Sequence, residues 1–259
     1  MGYRENGLTY FFNKCYEKYL IEDIKNIKFN CKDRGSEDEN VKVYSMCYNK
    51  NNPNLKKYCG PDWVFCHWPC ANISDFETTK NQIIIESNKY PTIDKIGWYG
   101  NIYSPSCDVI ESKTRPLLKI MGDNNSTLFD INHVDGHINN NNPNYLSLPD
   151  LMKYKYLIDI GGNGYSGRLK FLLFSKRPLL IVDRNYIEYF HDDLVPYIHY
   201  IPVKMDLSDL SEQVIWMISN PEKSLEIANN AFEYAMNNFN LDNLIDRVYH
   251  VYKNLNEDI

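Results

Sequence analysis

The sequence lacks any uninterrupted apolar run near the roughly 20 residues that a membrane-spanning helix requires. Its first segment, residues 1–13, contains the charged Arg4 and Glu5 and has no apolar core of the kind found in secretory leaders. Neither a membrane span nor a signal peptide is therefore indicated. These absences predict a cytoplasmic location.

Positive charge is in deficit as well. The 28 lysines and arginines are outnumbered by 34 aspartates and glutamates, which gives a formal net charge of −6 and an isoelectric point of about 5.5. Proteins that coat nucleic acids or bind anionic membranes need a strong positive field, which this chain does not have. We therefore expect no nucleic-acid partner, while a local basic pocket stays compatible with the composition.

The apolar content excludes disorder over the whole chain. Hydrophobic residues make up 43% of the 259 positions, which is an ordinary globular composition. A chain of this length forms one large domain or two small ones, each with its own core.

Cysteines are few, and all seven lie within the first 107 residues. An odd number without regular spacing is typical of free thiols in a reducing compartment. Cys59, Cys66, His67 and Cys70 are close in sequence, but they lack the paired C-x2-C spacing of a structural zinc site. We therefore predict no metal site.

The pattern of the chain changes at Ile93. Before it, the sequence is irregular and predicts a helix over 8–27 and strands over 27–31 and 41–45. After it, strand-like segments alternate with helical ones, which indicates a parallel sheet with helices packed on it. Predicted strands cover 96–100, 127–131, 156–160 and 179–183, and predicted helices cover 114–121, 168–175 and further segments from residue 208.

The change in pattern also predicts the domain organisation. We expect an α/β protein with a first domain over 1–92, a second over 93–235 and a terminal helix over 236–259. In the last segment, Leu244, Ile245 and Val248 recur at helical spacing and predict a buried face.

A glycine-rich loop follows the predicted strand that ends at residue 160. The spacing Gly162-x-Gly164-x-x-Gly167 lets the backbone approach a ligand closely, and the next segment is predicted to begin a helix. Arg168 lies in the first turn of that helix, where a cation is disfavoured unless an anion compensates it. The loop therefore predicts an anion site, and a diphosphate fits it.

The same loop has two other interpretations. It matches the dinucleotide fingerprint, with Asp183 about 20 residues further on to bind a ribose hydroxyl, which would make the protein an NAD(P)-dependent oxidoreductase. Against this, the loop leaves room after it for one strand and several helices, whereas a dinucleotide fold needs two mononucleotide halves. A tight turn without a ligand is the other alternative.

Several separated segments resemble glycosyltransferase family 90, which includes fungal capsule xylosyltransferases and Rumi-type protein O-glucosyltransferases. They occur in the family's order: 61–69, 98–100, 155–168, 186–190 and 196–210. The resemblance extends over roughly residues 29 to 240.

This resemblance implies a GT-B type fold, with two Rossmann-like domains, an active-site cleft between them and a reduced N-terminal domain. It also implies an inverting transfer of glucose or xylose from a UDP-sugar donor to a hydroxyl of a glycan or glycoprotein acceptor. No metal and no other cofactor is expected.

The resemblance also implies roles for individual residues. Segment 29–33 matches the family's catalytic segment, so Asp33 is the expected general base, although its charged surroundings alone favour a solvated face. Glu188 is expected to contact the ribose. The donor diphosphate is expected to be held by Arg115, Asn163, Gly164, Ser166, Gly167 and Arg168.

Aromatic residues that precede the predicted sheet could form the surface that contacts an acceptor sugar. Trp63, His67 and Trp68 are suited to contact an acceptor sugar, with core packing as the alternative. Tyr99 stands where the family usually has an arginine. That departure and the short N-terminal region also suggest a catalytically inactive sugar-binding protein. A two-fold homodimer is the general expectation for a soluble enzyme.

Overall fold

The structure is a computed structural model that describes residues 2–21, 27–103, 108–134 and 144–256. The helices predicted over 8–27 and 236–259 extend beyond these ranges, and Cys107 lies outside them. The α-helices are α1 Tyr3–Tyr19, α2 Phe76–Ser87, α3 Glu111–Asn124, α4 Leu169–Leu172, α5 Leu210–Ser219, α6 Pro221–Asn238 and α7 Leu241–Asn256. The strands are β1 Phe29–Asn30, β2 Tyr44–Ser45, β3 Tyr48–Asn49, β4 Ile93–Gly100, β5 Phe129–His133, β6 Tyr154–Asp159, β7 Leu179–Val182, β8 Tyr186–Ile187 and β9 Ile201–Val203.

A five-stranded parallel sheet forms the centre of the fold, in the order β5-β4-β6-β7-β9. Its inner strands are apolar on both faces, and all four residues of β7 are buried. Parallel strands covered by helices on both sides have this continuous apolar pattern. The predicted α/β class with a parallel sheet is therefore confirmed.

The strand order creates a reversal between β4 and β6. The chain passes from β4 outward to β5 and then returns to place β6 on the other side of β4. The loops that leave the carboxyl ends of β4 and β6 therefore diverge. In open parallel sheets such a switch point opens the crevice in which ligands bind.

The predicted second Rossmann-like sheet is not found in residues 2–92 as far as they are described. This part has α1, α2 and three strands of two residues each, with β1 parallel to β2. Strand β3 pairs with β8 from the second half. The irregular sequence before Ile93 explains the difference, because it contains few of the alternating segments that build a sheet.

The two halves share one hydrophobic core. Leu8 and Phe12 of α1 belong to the same buried cluster as Leu157 of β6, Phe171 of α4 and Val248 of α7. The expected boundary at residue 92 lies directly before β4, whereas the boundary at 235 falls inside α6. The segment predicted as one terminal helix therefore contains the end of α6 and a separate α7.

Helix α7 packs against α1. Asp246 accepts hydrogen bonds from Lys18 and Tyr19, both at 2.6 Å, and the rings of Tyr19 and Tyr249 stack with centroids 4.0 Å apart. Arg247 donates to the carbonyl oxygen of Cys59. The last described helix is thus bound to the first. Within the described ranges, the structure contains no helix with the length and apolar character of a membrane span.

Candidate active site

A cleft of about 360 Å³ opens at the carboxyl ends of β4 and β6, where the strand order reverses. Tyr99, Gly100 and Asn101 line it from the end of β4, and Gly162 and Asn163 line it from the loop after β6. The opposite wall comes from the first half of the chain. Of the residues predicted for the site, the cleft lining includes Asp33, Trp63, Trp68, Arg115, Asn163, Ser166, Gly167 and Arg168.

Two arginines form the positive side of the cleft. The guanidinium groups of Arg115 and Arg168 each lie 5.4 Å from the ring centre of Trp98. Arg115 donates to the carbonyl oxygens of Gly161 and Asn101, at 2.8 and 2.7 Å. Arg168 donates to the carbonyl oxygen of Tyr99 at 2.7 Å. These contacts hold both cations beside the same indole ring.

Neither guanidinium group forms an ion pair with a carboxylate among the described residues. Their hydrogen bonds there go to backbone oxygens, and the charge of Asp159 only partly offsets the effect of burial on their pKa values. Burial, followed by the charge of Arg168, lowers the pKa of Arg115 to about 9. Burial also lowers the pKa of Arg168. An anion bound between them would relieve this repulsion, so the cleft suits a phosphate or diphosphate.

The helix after the glycine loop is shorter than predicted. Helix α4 has four residues, Leu169–Leu172, and continues as a 3-10 turn over Leu173–Ser175. Arg168 is its N-cap. A single α-helical turn has a small dipole, since the macrodipole is the sum of aligned peptide units. The arginine side chains are therefore the main source of positive charge at this loop.

Asp33 lies in the wall opposite the arginines, with its side chain 32% exposed. Its Oδ1 accepts a hydrogen bond from Arg4 Nη1 at 2.7 Å, and its Oδ2 lies 3.5 Å from Asn163 Nδ2. Arg34 also donates to Asn163. The fully solvated position that the charged stretch alone favours is therefore wrong. The carboxylate lies beside Asn163 of the glycine loop.

Two loop glycines allow the walls to approach each other. A Cβ at Gly164 would lie 1.8 Å from the carbonyl oxygen of Asp33, and a Cβ at Gly167 would lie 3.2 Å from the Trp68 ring. Gly164 is not part of the cleft lining. The hydroxyl of Ser166 donates to Asp159 at 2.7 Å, although Ser166 lines the cleft. We therefore interpret Gly164, Gly167 and Ser166 mainly as residues that determine the shape of the loop.

The aromatic wall contains two of its three predicted members. Trp63 and Trp68 line the cleft, with ring centres 6.1 Å apart and edge to face. His67 is not part of the lining, and its Nε2 lies 2.9 Å from the carbonyl oxygen of Tyr3. The imidazole fastens α1 to this segment, which corrects its predicted acceptor role.

Glu188 is not brought to the cleft. Its side chain is 2% exposed and its Oε1 lies 2.7 Å from Lys170 Nζ, which also contacts Asp62 at 3.1 Å. The Tyr165 hydroxyl donates to the same Asp62 carboxylate. Burial raises the pKa of Glu188 to about 8 against the opposing charge of Lys170. Glu188 thus belongs to a buried polar cluster beneath the glycine loop, which corrects the prediction that it contacts ribose.

Asp183 also lies outside the cleft lining. Its carboxylate is 54% exposed and forms an ion pair with Lys50 at 2.6 Å. The acidic residue that the dinucleotide interpretation requires is therefore occupied elsewhere. Among the residues described, no group of three or more His, Cys, Asp or Glu side chains is arranged to hold a metal ion.

Sequence reasoning did not find Arg4. It lines the cleft and lies 29 residues from its partner Asp33 in the chain. No local motif connects the two.

Tyr99 stands where the family usually has an arginine, and its hydroxyl bonds to Tyr154 at 3.0 Å and Asp130 at 3.2 Å. The backbone of Tyr99, not its side chain, contacts Arg168.

Comparison with known families decides between the interpretations of this cleft. The sequence model of Glycosyl transferase family 90 matches residues 20–257. The chain belongs to this family. The resemblance inferred from the separated motifs is therefore confirmed. The match includes Asp33, the aromatic segment and the glycine loop within one continuous region.

Curated relatives cover a smaller part of the chain. Protein O-glucosyltransferase 1 of Rattus norvegicus is 35% identical over 97 residues, which are 38% of this chain and 25% of that protein. Protein O-glucosyltransferase 2 of Danio rerio is 38% identical over 84 residues, 32% of this chain and 17% of that protein. Uncharacterized protein 035R of Invertebrate iridescent virus 3 is 28% identical over 105 residues, 40% of this chain and 10% of that protein. The matches thus span a quarter or less of these relatives.

Solved structures with some similarity include TarM, with a TM-score of 0.45 and 14% identity over 63% of this chain and 36% of that chain. Another is Anabaena Alr3699/HepE in complex with UDP, with a TM-score of 0.40 and 10% identity over 67% of this chain and 44% of that chain.

The lowered pKa of Arg115 predicts how affinity for UDP changes with pH. As pH rises through about 9, Arg115 loses its charge, so UDP should bind more weakly at about pH 9.5 than at about pH 7.5. Calorimetric titration of wild type and Arg115→Gln at both values measures this. Because the uracil ring also titrates, the difference between the two proteins is informative. Equal losses of affinity in both would contradict the prediction.

The raised pKa of Glu188 predicts how stability changes with pH. The folded state keeps a proton on Glu188 up to about pH 8, whereas the unfolded chain releases it near its ordinary pKa of 4.5. The stabilisation from this group is therefore present at low pH and lost as pH rises through about 8. Urea unfolding at about pH 6 and about pH 9 should show a smaller fall in the free energy of unfolding for Glu188→Gln than for wild type. Glu77→Gln, at an exposed position, is the control. The same fall in the free energy of unfolding in wild type, Glu188→Gln and Glu77→Gln would refute the raised pKa of Glu188.

Proposed function

We propose that this chain is a glycosyltransferase that moves glucose or xylose from a UDP-sugar to a hydroxyl group, with inversion at the anomeric carbon. One observation carries the proposal: a carboxylate, Asp33, and two guanidinium groups, Arg115 and Arg168, line the same cleft at the switch point of a parallel sheet. An inverting transfer needs a base on one side of the sugar and positive charge at the leaving diphosphate on the other.

The donor is proposed to lie along the glycine loop with its diphosphate between Arg115 and Arg168. The sugar would then point toward Asp33, since that residue forms the opposite wall. This arrangement corresponds to a GT-B type active site between two halves of the chain, with the first half reduced. Membership of the family supports a nucleotide-sugar donor.

The proposed reaction is a single displacement. Asp33 accepts the proton of the acceptor hydroxyl while that oxygen forms a bond to the anomeric carbon. The bond from this carbon to the diphosphate oxygen breaks, and its electron pair leaves with UDP. Because the oxygen enters opposite the leaving group, the configuration inverts. Arg115 and Arg168 stabilise the charge that develops on the diphosphate.

We propose that the arginine pair supplies the positive charge without a metal ion. Two partly buried guanidinium groups lie where the diphosphate charge increases, and each can donate a charge-assisted hydrogen bond. In the described part of the chain neither group forms an ion pair, and their hydrogen bonds go to backbone oxygens.

The acceptor is proposed to be a glycan or a protein hydroxyl. Trp63 and Trp68 line the same cleft as Asp33 and present aromatic surface, on which a sugar ring can pack. The names of the relatives from rat and zebrafish support a protein acceptor for those enzymes.

Thermal unfolding with candidate donors tests the proposal. A ligand that binds the folded state raises the melting temperature. We expect a rise with UDP-glucose or UDP-xylose that EDTA does not abolish, and no rise with GDP-mannose or NAD. A rise with NAD alone would favour an oxidoreductase instead, and donor binding without UDP release in an acceptor screen would favour an inactive sugar-binding protein.

Substitution of Asp33 and substitution of Arg168 should impair different properties, turnover in the first case and UDP affinity in the second. Asp33→Asn should lower turnover by about 10²–10⁴-fold with UDP affinity nearly unchanged, because a base acts on the acceptor proton. Arg168→Ala should weaken UDP binding by about 1.5–3 kcal/mol, the range for a hydrogen bond to a charged group. Calorimetry with UDP and initial rates of UDP release measure the two effects. The nearby exposed Asp38→Asn is the matched control, and normal turnover in Asp33→Asn would remove Asp33 from the mechanism.

A further inference from the structure

The first turn of α1 places a charged side chain in the cleft from outside the family match. Arg4 precedes residues 20–257, to which the family model corresponds. Its Nη1 donates to Asp33 Oδ1 and to the carbonyl oxygen of Cys31, both at 2.7 Å. The side chain is 31% exposed and lines the cleft. Membership of the family therefore assigns this residue no role.

We infer that Arg4 is a positioning residue that fixes the carboxylate of Asp33 for proton transfer. The inference rests on the proposed function of Asp33 as general base. It adds a requirement that the family match does not contain, namely a guanidinium group supplied by α1.

The geometry divides the two oxygens of Asp33 between different tasks. Oδ1 is held by Arg4, while Oδ2 faces Asn163 at a long 3.5 Å. The carbonyl oxygen of the same residue accepts from the Cys47 thiol at 3.2 Å. One carboxylate oxygen is therefore fixed, and the other is directed toward the glycine loop, where an acceptor hydroxyl would meet the donor.

The cation itself is well fixed. Its guanidinium group lies 5.3 Å from the ring centre of Trp63 and at the same time forms the ion pair with Asp33. Burial lowers the pKa of Arg4, but the charge of Asp33 and the hydrogen bonds to Tyr3 and Asp33 together outweigh burial, and the net direction is upward. Arg4 therefore stays protonated in the working range of an enzyme.

Close packing sets the position of the helix turn that bears Arg4. A Cβ at Gly7 would lie 2.7 Å from Cβ and 3.0 Å from Cα of Trp63, so a glycine is needed for this approach. The Tyr3 ring meets the Trp63 ring edge to face at 5.1 Å, and its carbonyl oxygen lies 2.9 Å from His67 Nε2. Helix α1 is thus fastened to the aromatic wall of the cleft.

Arg4 contacts the base rather than the residues proposed for the donor. Its Nη1 donates to Cys31 and Asp33, whereas the guanidinium groups of Arg115 and Arg168 lie beside Trp98. Its loss should consequently lower turnover without weakening UDP binding. This split between kcat and donor affinity distinguishes positioning from a structural or donor-binding role.

The test compares Arg4→Gln, Arg4→Lys and the control Lys14→Gln, which removes an exposed cation from the same helix. The rate of UDP release from UDP-glucose is measured with water and with a β-glucoside as acceptor, and UDP affinity is measured by calorimetry. We expect kcat to fall about 10- to 100-fold in Arg4→Gln, below the full contribution of a general base. Arg4→Lys should recover part of the rate, and UDP affinity should stay within about twofold in all variants.

A double variant determines whether Arg4 acts through Asp33. In the Asp33→Asn background, Arg4→Gln should cause no further loss, because residues that act as a unit are not additive. A further loss there, an unchanged kcat in Arg4→Gln, or a matching loss of UDP affinity would each overturn the inference. If Arg4→Gln fails to fold, as judged by its melting temperature, a rate in Arg4→Lys equal to wild type overturns it instead. Wild type that neither binds UDP nor releases it from any donor would overturn the proposed function itself, and the inference with it.

Discussion

The ammonium group of Lys170 is the contact on which the arrangement of the cleft depends. It lies between the carboxylates of Asp62 and Glu188, at 3.1 and 2.7 Å, and it also donates to the carbonyl oxygen of Gly167. These partners come from the first half of the chain, from the residue that follows β8 and from the glycine loop. Removing one member of such a buried set leaves an uncompensated charge, which is strongly destabilising. This buried cluster therefore fixes the spacing between the two walls of the cleft.

The walls themselves meet through backbone as well as through side chains such as Arg34 and Asn163. The carbonyl oxygen of Asp33 faces Gly164 with no room for a Cβ, so the catalytic candidate and the donor loop are adjacent by construction. The arginines on the other side are held by backbone carbonyl oxygens and by the Trp98 ring. Their charges stay available to a ligand because neither group forms an ion pair with a described carboxylate. The chemistry proposed for the cleft follows from this separation of a base from two cations.

The features that could be predicted from the sequence depend on residues close together in the chain. Those that could not be predicted depend on contacts between residues that are far apart in it. The sheet followed from local pattern, since a strand such as Leu179–Val182 is a short apolar segment between turn signals. Motif spacing also identified Arg168 and the loop. Glu188 was misplaced because its burial depends on Lys170 and Asp62, which no local pattern reveals. Arg4 was missed because it reaches Asp33 only through the packing of a helix against Trp63.

The contact between α1 and α7 has a consequence for the order in which the protein assembles during synthesis. The helix that carries Arg4 is synthesised before the glycine loop, yet it packs on Asp246 and Tyr249, which follow that loop in the chain. Proteins of this size commonly fold through intermediates. The nascent chain can form the loop around Gly164 before α7 exists, but the surface that supports α1 is complete only once α7 has been synthesised. The part of the cleft that contains Arg4 is therefore expected to reach its final position after the glycine loop does.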